Sequence, residues 1–114
     1  SGSEKLIVIG ASIGANTAMN YAGSDKDVVA AVLLSPSLNY RGVKTEAAVK
    51  AFKGKLLIVA SKEDVQSFGD SEKIIKISPS KNKKFLPYEN AGHGTRMFDA
   101  KPELMDEIIG FIRG

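Results

Sequence analysis

Apolar positions in this chain gather into four short runs, separated by polar and helix-like stretches. Leu6 to Ile9, Val28 to Leu34 and Leu56 to Ala60 are almost unbroken in Val, Ile, Leu and Ala. Runs of that length without alternation suit strands buried on both faces of a parallel sheet. The fourth run, Lys84-Phe85-Leu86-Pro87-Tyr88, carries a lysine and a proline. Both are tolerated on an edge strand, where they discourage pairing with another chain.

Between the runs the pattern turns helical. Residues 13–22 predict a helix rich in small side chains, able to sit close to a sheet. Thr45 to Phe52 predicts a short helix that stops at Gly54. Asp70 to Ile77 turns Ile74, Ile75 and Ile77 toward a core and ends at Ser78-Pro79. A last helix is expected from Pro102, a favoured first-turn residue, with Leu104, Met105, Ile108, Ile109 and Ile112 as its apolar stripe. The order β-α-β-α-β-α-β-α predicts an α/β fold, an open four-stranded parallel sheet with flanking helices. Right-handed crossovers would place helices on its faces. No internal repeat or linker divides residues 4–114, which form a single domain.

Composition narrows the chemistry. At 114 residues the chain has room for one core, and no apolar run approaches the roughly 18 residues of a membrane span. Ser1-Gly2-Ser3 reads as a cloning remnant and is set aside, which leaves open a native N-terminus, and any targeting signal, removed with it. A cytoplasmic location is the expectation. The absence of cysteine excludes disulfides, thiolate metal sites and a cysteine nucleophile, and a single histidine argues against zinc. No metal or cofactor is expected. The net charge is +3, and its densest run, Lys81-Asn82-Lys83-Lys84, reads as the solvated start of a strand rather than a nucleic-acid patch. Neither nucleic acid nor membrane is an expected partner.

In open parallel sheets, sites form beyond the carboxyl ends of the strands. The first run ends at Gly10-Ala11-Ser12, the third at Ser61-Lys62-Glu63-Asp64, and the fourth leads into Asn90-Ala91-Gly92-His93-Gly94. A serine, an acid and the only histidine thus fall on one rim. A serine hydroxyl is a weak nucleophile until an imidazole takes its proton, and the imidazole needs an acid to hold its tautomer. Each residue has an ordinary alternative. Ser12 could be a helix N-cap, Asp64 or its neighbour Glu63 a solvated loop acid, and His93 a surface histidine. A phosphate-binding turn is weaker, because Ser12 occupies the middle glycine position of G-x-G-x-x-G and no P-loop lysine follows.

Gly10-x-Ser12-x-Gly14 between a strand and a helix resembles the nucleophile elbow of α/β-hydrolases, and the order Ser, Asp, His is the order of that fold. The stretches LLSPSLNYRG, LLIVASKED and NAGHGT are similar to the segments that follow the nucleophile in bacterial esterases of the dienelactone-hydrolase-like kind. The resemblance runs from Glu4 onward but covers only the C-terminal half of the family fold. It implies Ser12 as nucleophile, His93 as base, Asp64 as the acid that orients His93, and the Ile13 N–H as an oxyanion donor. Gly10 and Gly14 would let the chain turn sharply. Ser35 and Tyr40, after the second strand, match positions that often line the family pocket, although an ordinary connection accounts for them equally well. Asn16 and Thr17 are expected on the helix surface or against the sheet.

The activity implied is that of a serine hydrolase cutting small carboxylic esters through an acyl-enzyme. The family fold has about eight strands, and its second oxyanion donor follows the third of them. That part has no counterpart here, so weak turnover is expected, and a noncatalytic half-hydrolase that folds and assembles is the alternative. The first strand would lack a neighbour on one side. A homodimer pairing two such strands about a two-fold axis would rebuild a sheet of about eight strands.

Overall fold

The computed structural model describes residues 5–114; Glu4 and the tripeptide Ser1-Gly2-Ser3 lie outside the described residues. The main sheet has four parallel strands in the order β1 (Leu6–Ala11), β2 (Val28–Leu34), β5 (Lys55–Ser61), β6 (Lys83–Tyr88). Helix α1 (Ile13–Ser24) follows β1, α2 (Glu46–Ala51) precedes β5, and α3 (Val65–Ile77) links β5 to β6. Two further helices, α4 (Arg96–Ala100) and α5 (Leu104–Arg113), close the chain. Between β2 and α2 lies a small antiparallel hairpin, β3 (Asn39–Tyr40) with β4 (Val43–Lys44). An α/β sandwich is therefore what the alternating runs produce.

Two cores flank the sheet. On one face Ala15, Met19 and Ala22 of α1, Val49 of α2 and Ile74 of α3 pack on Ala31, Leu33, Leu56 and Ile58. On the other, Met97 of α4 with Leu104 and Ile108 of α5 covers Val32, Leu34, Leu57 and Val59. Strands β2 and β5, enclosed on both sides, read as unbroken apolar runs for that reason.

Strand β1 departs from the expectation of burial on both faces. Among the described residues it pairs with β2 alone. Leu6 and Val8 pack toward α1, but Ile7 and Ile9 are 46% and 53% exposed. Ile9 is level with Val32 in the parallel register, on the face that α5 covers over β2 and β5 without reaching β1. Full burial of one such side chain is worth about 1.5–3 kcal/mol, so this strip is unused apolar surface. The opposite edge carries exposed Lys83, Lys84 and Pro87, the protections expected of an edge strand.

Other boundaries differ locally. Helix α3 begins at Val65, five residues before the expected Asp70, because Ser67 and Gly69 weaken the helical pattern while the Phe68 N–H donates to the Asp64 carbonyl (2.8 Å). Pro102 lies in a turn ahead of α5 rather than in its first turn, and α4 is a five-residue helix that the apolar periodicity does not mark. Asn16 is fully buried and bonded to Ser37 in the loop after β2 and to Val43 of β4, not spread on the helix surface. No described helix is long and apolar enough to cross a membrane.

Candidate active site

Ser12 stands in the N-cap position of α1 with φ 58° and ψ −128°, and its side chain makes no capping bond. Such a conformation costs an L-residue about 1–3 kcal/mol and persists only when its surroundings enforce it. The Ser12 N–H donates to the Leu34 carbonyl (2.8 Å), and its carbonyl accepts from Ala15 (2.9 Å). Gly10 is the steric condition for this turn, since a Cβ there would lie 2.3 Å from the Gly14 carbonyl oxygen. Gly14 is different: a Cβ on it would meet nothing within 4 Å. Only one of the two flanking glycines is thus required by the turn.

Freed from capping, the Ser12 hydroxyl lies 2.7 Å from Nε2 of His93. The other ring nitrogen, Nδ1, is in close contact with Oδ2 of Asp64. Ser12 follows β1, Asp64 follows β5 and His93 follows β6, so three strand ends converge on one chain of contacts. With the Nδ1 proton held by Asp64, Nε2 presents its lone pair to the hydroxyl, the geometry in which an imidazole can accept a proton from serine. At the start of α1 the Ile13 N–H has no acceptor within its helix and borders the same opening. Ser12, Ile13, Tyr40 and Arg41 line a cavity of about 410 Å³.

The histidine loop is gripped from both sides. Glu63 accepts the N–H groups of Asn90 (2.9 Å) and Gly92 (2.7 Å) and the Ser61 hydroxyl proton, while Ser61 Oγ accepts the Ala91 N–H (2.9 Å). The Ser61 bond, followed by those from the Gly92 and Asn90 N–H groups, lowers the Glu63 carboxyl to about 2. Beyond the histidine, the Gly94 N–H donates to Ser35 Oγ (2.8 Å). Gly92 and Gly94 have φ of 85° and 63°, and Asn90 of 57°. These values are affordable to glycine and asparagine. Two adjacent acids therefore divide two tasks, Asp64 touching the imidazole and Glu63 the loop that carries it.

Ser35 is fully buried beneath this loop and lies outside the cavity lining. Its carbonyl accepts the Tyr40 hydroxyl proton (2.9 Å). Burial raises the Tyr40 phenol above its ordinary range, so it stays a donor. Its ring meets the His93 ring edge-on, centroids 6.3 Å apart. Asn16 joins the helix to this region, accepting the Ser37 N–H (3.0 Å) and donating to the Val43 carbonyl (2.8 Å). Asp70 secures the start of the hairpin by accepting from Ser37 Oγ (2.7 Å), the Leu38 N–H (2.9 Å) and Gln66 (3.1 Å). Burial opposes its ionisation, yet these donors hold its carboxyl below the ordinary value. Thr17 only returns a bond to the Ile13 carbonyl. Ser61, Glu63, Asn16 and Asp70 were not readable as site supports, because each acts through a backbone group 20 or more residues away in sequence. Among the described residues no group of His, Asp and Glu is arranged to hold a metal ion.

The sequence matches no protein-family model and no curated protein. Solved structures do match. A dienelactone hydrolase from Anabaena variabilis superposes with a TM-score of 0.71 at 18% identity, over 91% of this chain and 44% of its own. A monoacylglycerol lipase from Paleococcus ferrophilus gives 0.74 at 11% identity, over 95% and 69%. The esterase domain of a Rhodothermus marinus protein gives 0.65 at 18%, over 76% and 50%. The fold is that of the α/β-hydrolases. The present chain spans about half the length of the first structures it matches. Within the α/β-hydrolase fold, the described four-stranded sheet is thus a part of the architecture.

Proposed function

We propose that this chain carries the catalytic constellation of a serine hydrolase acting on carboxylic esters. The observation that carries this reading is the continuous contact from Ser12 Oγ through His93 to Asp64, built on a serine whose strained backbone serves no capping bond. In the proposed cycle Ser12 Oγ attacks the ester carbonyl carbon while its proton passes to Nε2 of His93. The oxyanion forms beside the Ile13 N–H. Collapse breaks the acyl–oxygen bond, and His93 returns the proton to the departing alcohol. A water then attacks the acyl-enzyme, giving its proton to His93, and the second collapse frees the acid and restores the Ser12 hydroxyl. Asp64 holds the imidazole in its tautomer and stabilises the imidazolium.

Among the described residues the Ile13 N–H is the oxyanion donor identified, and acting with one donor in place of two costs about 100- to 1,000-fold in turnover. Slow hydrolysis is the expectation. The second reading, an assembly part with little turnover of its own, is favoured by the partial span of the solved structures. Fluorophosphonate labelling and p-nitrophenyl acetate turnover, compared with Ser12→Ala and His93→Ala, separate the two. Labelling lost in Ser12→Ala and strongly slowed in His93→Ala supports the hydrolase; a folded protein that takes no label supports the assembly part.

A further inference from the structure

We propose that Arg41 makes the cavity beside Ser12 selective for esters that carry a second, anionic oxyacid group, a carboxylate being the simplest. The proposal deepens the hydrolase reading and rests on it for the reaction, although not for the binding. Of the four residues lining the cavity, Ser12, Ile13, Tyr40 and Arg41, Arg41 alone brings a permanent charge. None of the ion pairs among the described residues includes it. Ile13 supplies an apolar wall and Tyr40 an aromatic one. A ligand matching this lining has an ester carbonyl at Ser12, a short apolar spacer, and an anion for the guanidinium fork.

The backbone at Arg41 is also unusual. Arg41 and Gly42 form the two-residue turn between β3 and β4, with φ of 50° and 90°. Both central positions of such a hairpin turn need positive φ, which asparagine, aspartate and glycine adopt with least strain. Arginine is a poor choice for the turn and a good one for an anion. The hairpin is also fixed relative to the serine. Asn16 and Asn20, on the helix that Ser12 begins, donate to the carbonyls of Val43 (2.8 Å) and Lys44 (2.7 Å). The Gly42 N–H donates to Asn39 Oδ1 (2.7 Å). One helix thereby positions both the reactive hydroxyl and the turn that bears the cation.

The test compares kcat/KM for p-nitrophenyl hydrogen glutarate with neutral p-nitrophenyl valerate, and for 4-acetoxybenzoate with its methyl ester, so that the anion sits on the acyl side in one pair and on the leaving group in the other. Arg41→Asn suits the turn, and Lys44→Gln removes an equal charge outside the cavity. The expected result is an anionic-to-neutral ratio that falls about tenfold in Arg41→Asn for at least one pair, holds in Lys44→Gln, and shrinks as salt is raised. An equal ratio in wild type and Arg41→Asn overturns the proposal while leaving the hydrolase reading intact. Binding is read separately by NMR titration of Ser12→Ala with monomethyl glutarate. Saturable shifts at the Tyr40 and Arg41 amides, lost in Ser12→Ala/Arg41→Asn, are expected. Their absence overturns the proposal even where turnover is observed, and their presence without turnover sustains the site while the hydrolase reading fails.

Discussion

Gly10→Ala and Gly14→Ala make the same chemical change on either side of Ser12, and the structure assigns them opposite effects. At Gly10 the new Cβ would stand 2.3 Å from the Gly14 carbonyl oxygen, 2.6 Å from its carbon and 2.9 Å from Ala15 Cα. All three are backbone atoms, so no rotamer relieves the clash, and the elbow must open by about 1 Å to restore ordinary contact. Overpacking of this kind costs about 1–3 kcal/mol. At about 4 °C per kcal/mol for a domain of this size, Tm falls by about 4–12 °C. The same displacement moves the Ser12 hydroxyl from His93, and about 1 Å of misplacement costs about 100-fold in rate. At Gly14 the new Cβ meets nothing within 4 Å, and replacing a helical glycine with alanine gains about 0.5–1 kcal/mol. Tm should rise by about 2–4 °C, with labelling largely retained. Differential scanning calorimetry together with the rate of fluorophosphonate labelling measures both effects. Tm shifts in the same direction for the two variants, or labelling of Gly10→Ala at the wild-type rate, would refute the steric role assigned to Gly10.

Glu63→Gln replaces one acceptor oxygen with a donor facing the Asn90–Gly92 N–H groups, so the histidine loop should loosen and kcat fall about tenfold or more with KM little changed. Because the Glu63 carboxyl is lowered from 4.5 to about 2, its stabilising contribution is complete above about pH 4.5 and is lost as pH falls toward 2. The Tm gap between wild type and Glu63→Gln should therefore narrow across that interval, and a gap independent of pH refutes the assignment. Pairing of two β1 edges, proposed from the exposed Ile7 and Ile9 strip, predicts a dimer in sedimentation velocity that Ile9→Lys converts to monomer. A wild-type chain that stays monomeric at high concentration refutes that pairing.

The sequence by itself determined the layer order. Unbroken apolar runs at 28–34 and 56–60 could only be satisfied by enclosure on both faces, and small or periodic helices between them supplied that cover. It also brought Ser12, Asp64 and His93 to one rim, since parallel strands joined by right-handed crossovers send all their carboxyl ends the same way. What it left undecided was contact. Whether Asp64 or Glu63 meets the imidazole depends on where the turn after β5 points each carboxylate, a matter of a few dihedral angles rather than of residue type. The roles of Asn16, Ser35 and Asp70 were hidden for a related reason. Each of these side chains bonds at least one distant backbone N–H or C=O group, and such groups recur along the chain without any residue type to mark them. The hairpin that places Arg41 over the cavity escaped the periodic signal altogether, because its strands are two residues long. Even the exposure of β1 is tertiary in origin: Ile7 and Ile9 have the apolar character of a core, and only the position of α5, one strand short of them, leaves them facing water.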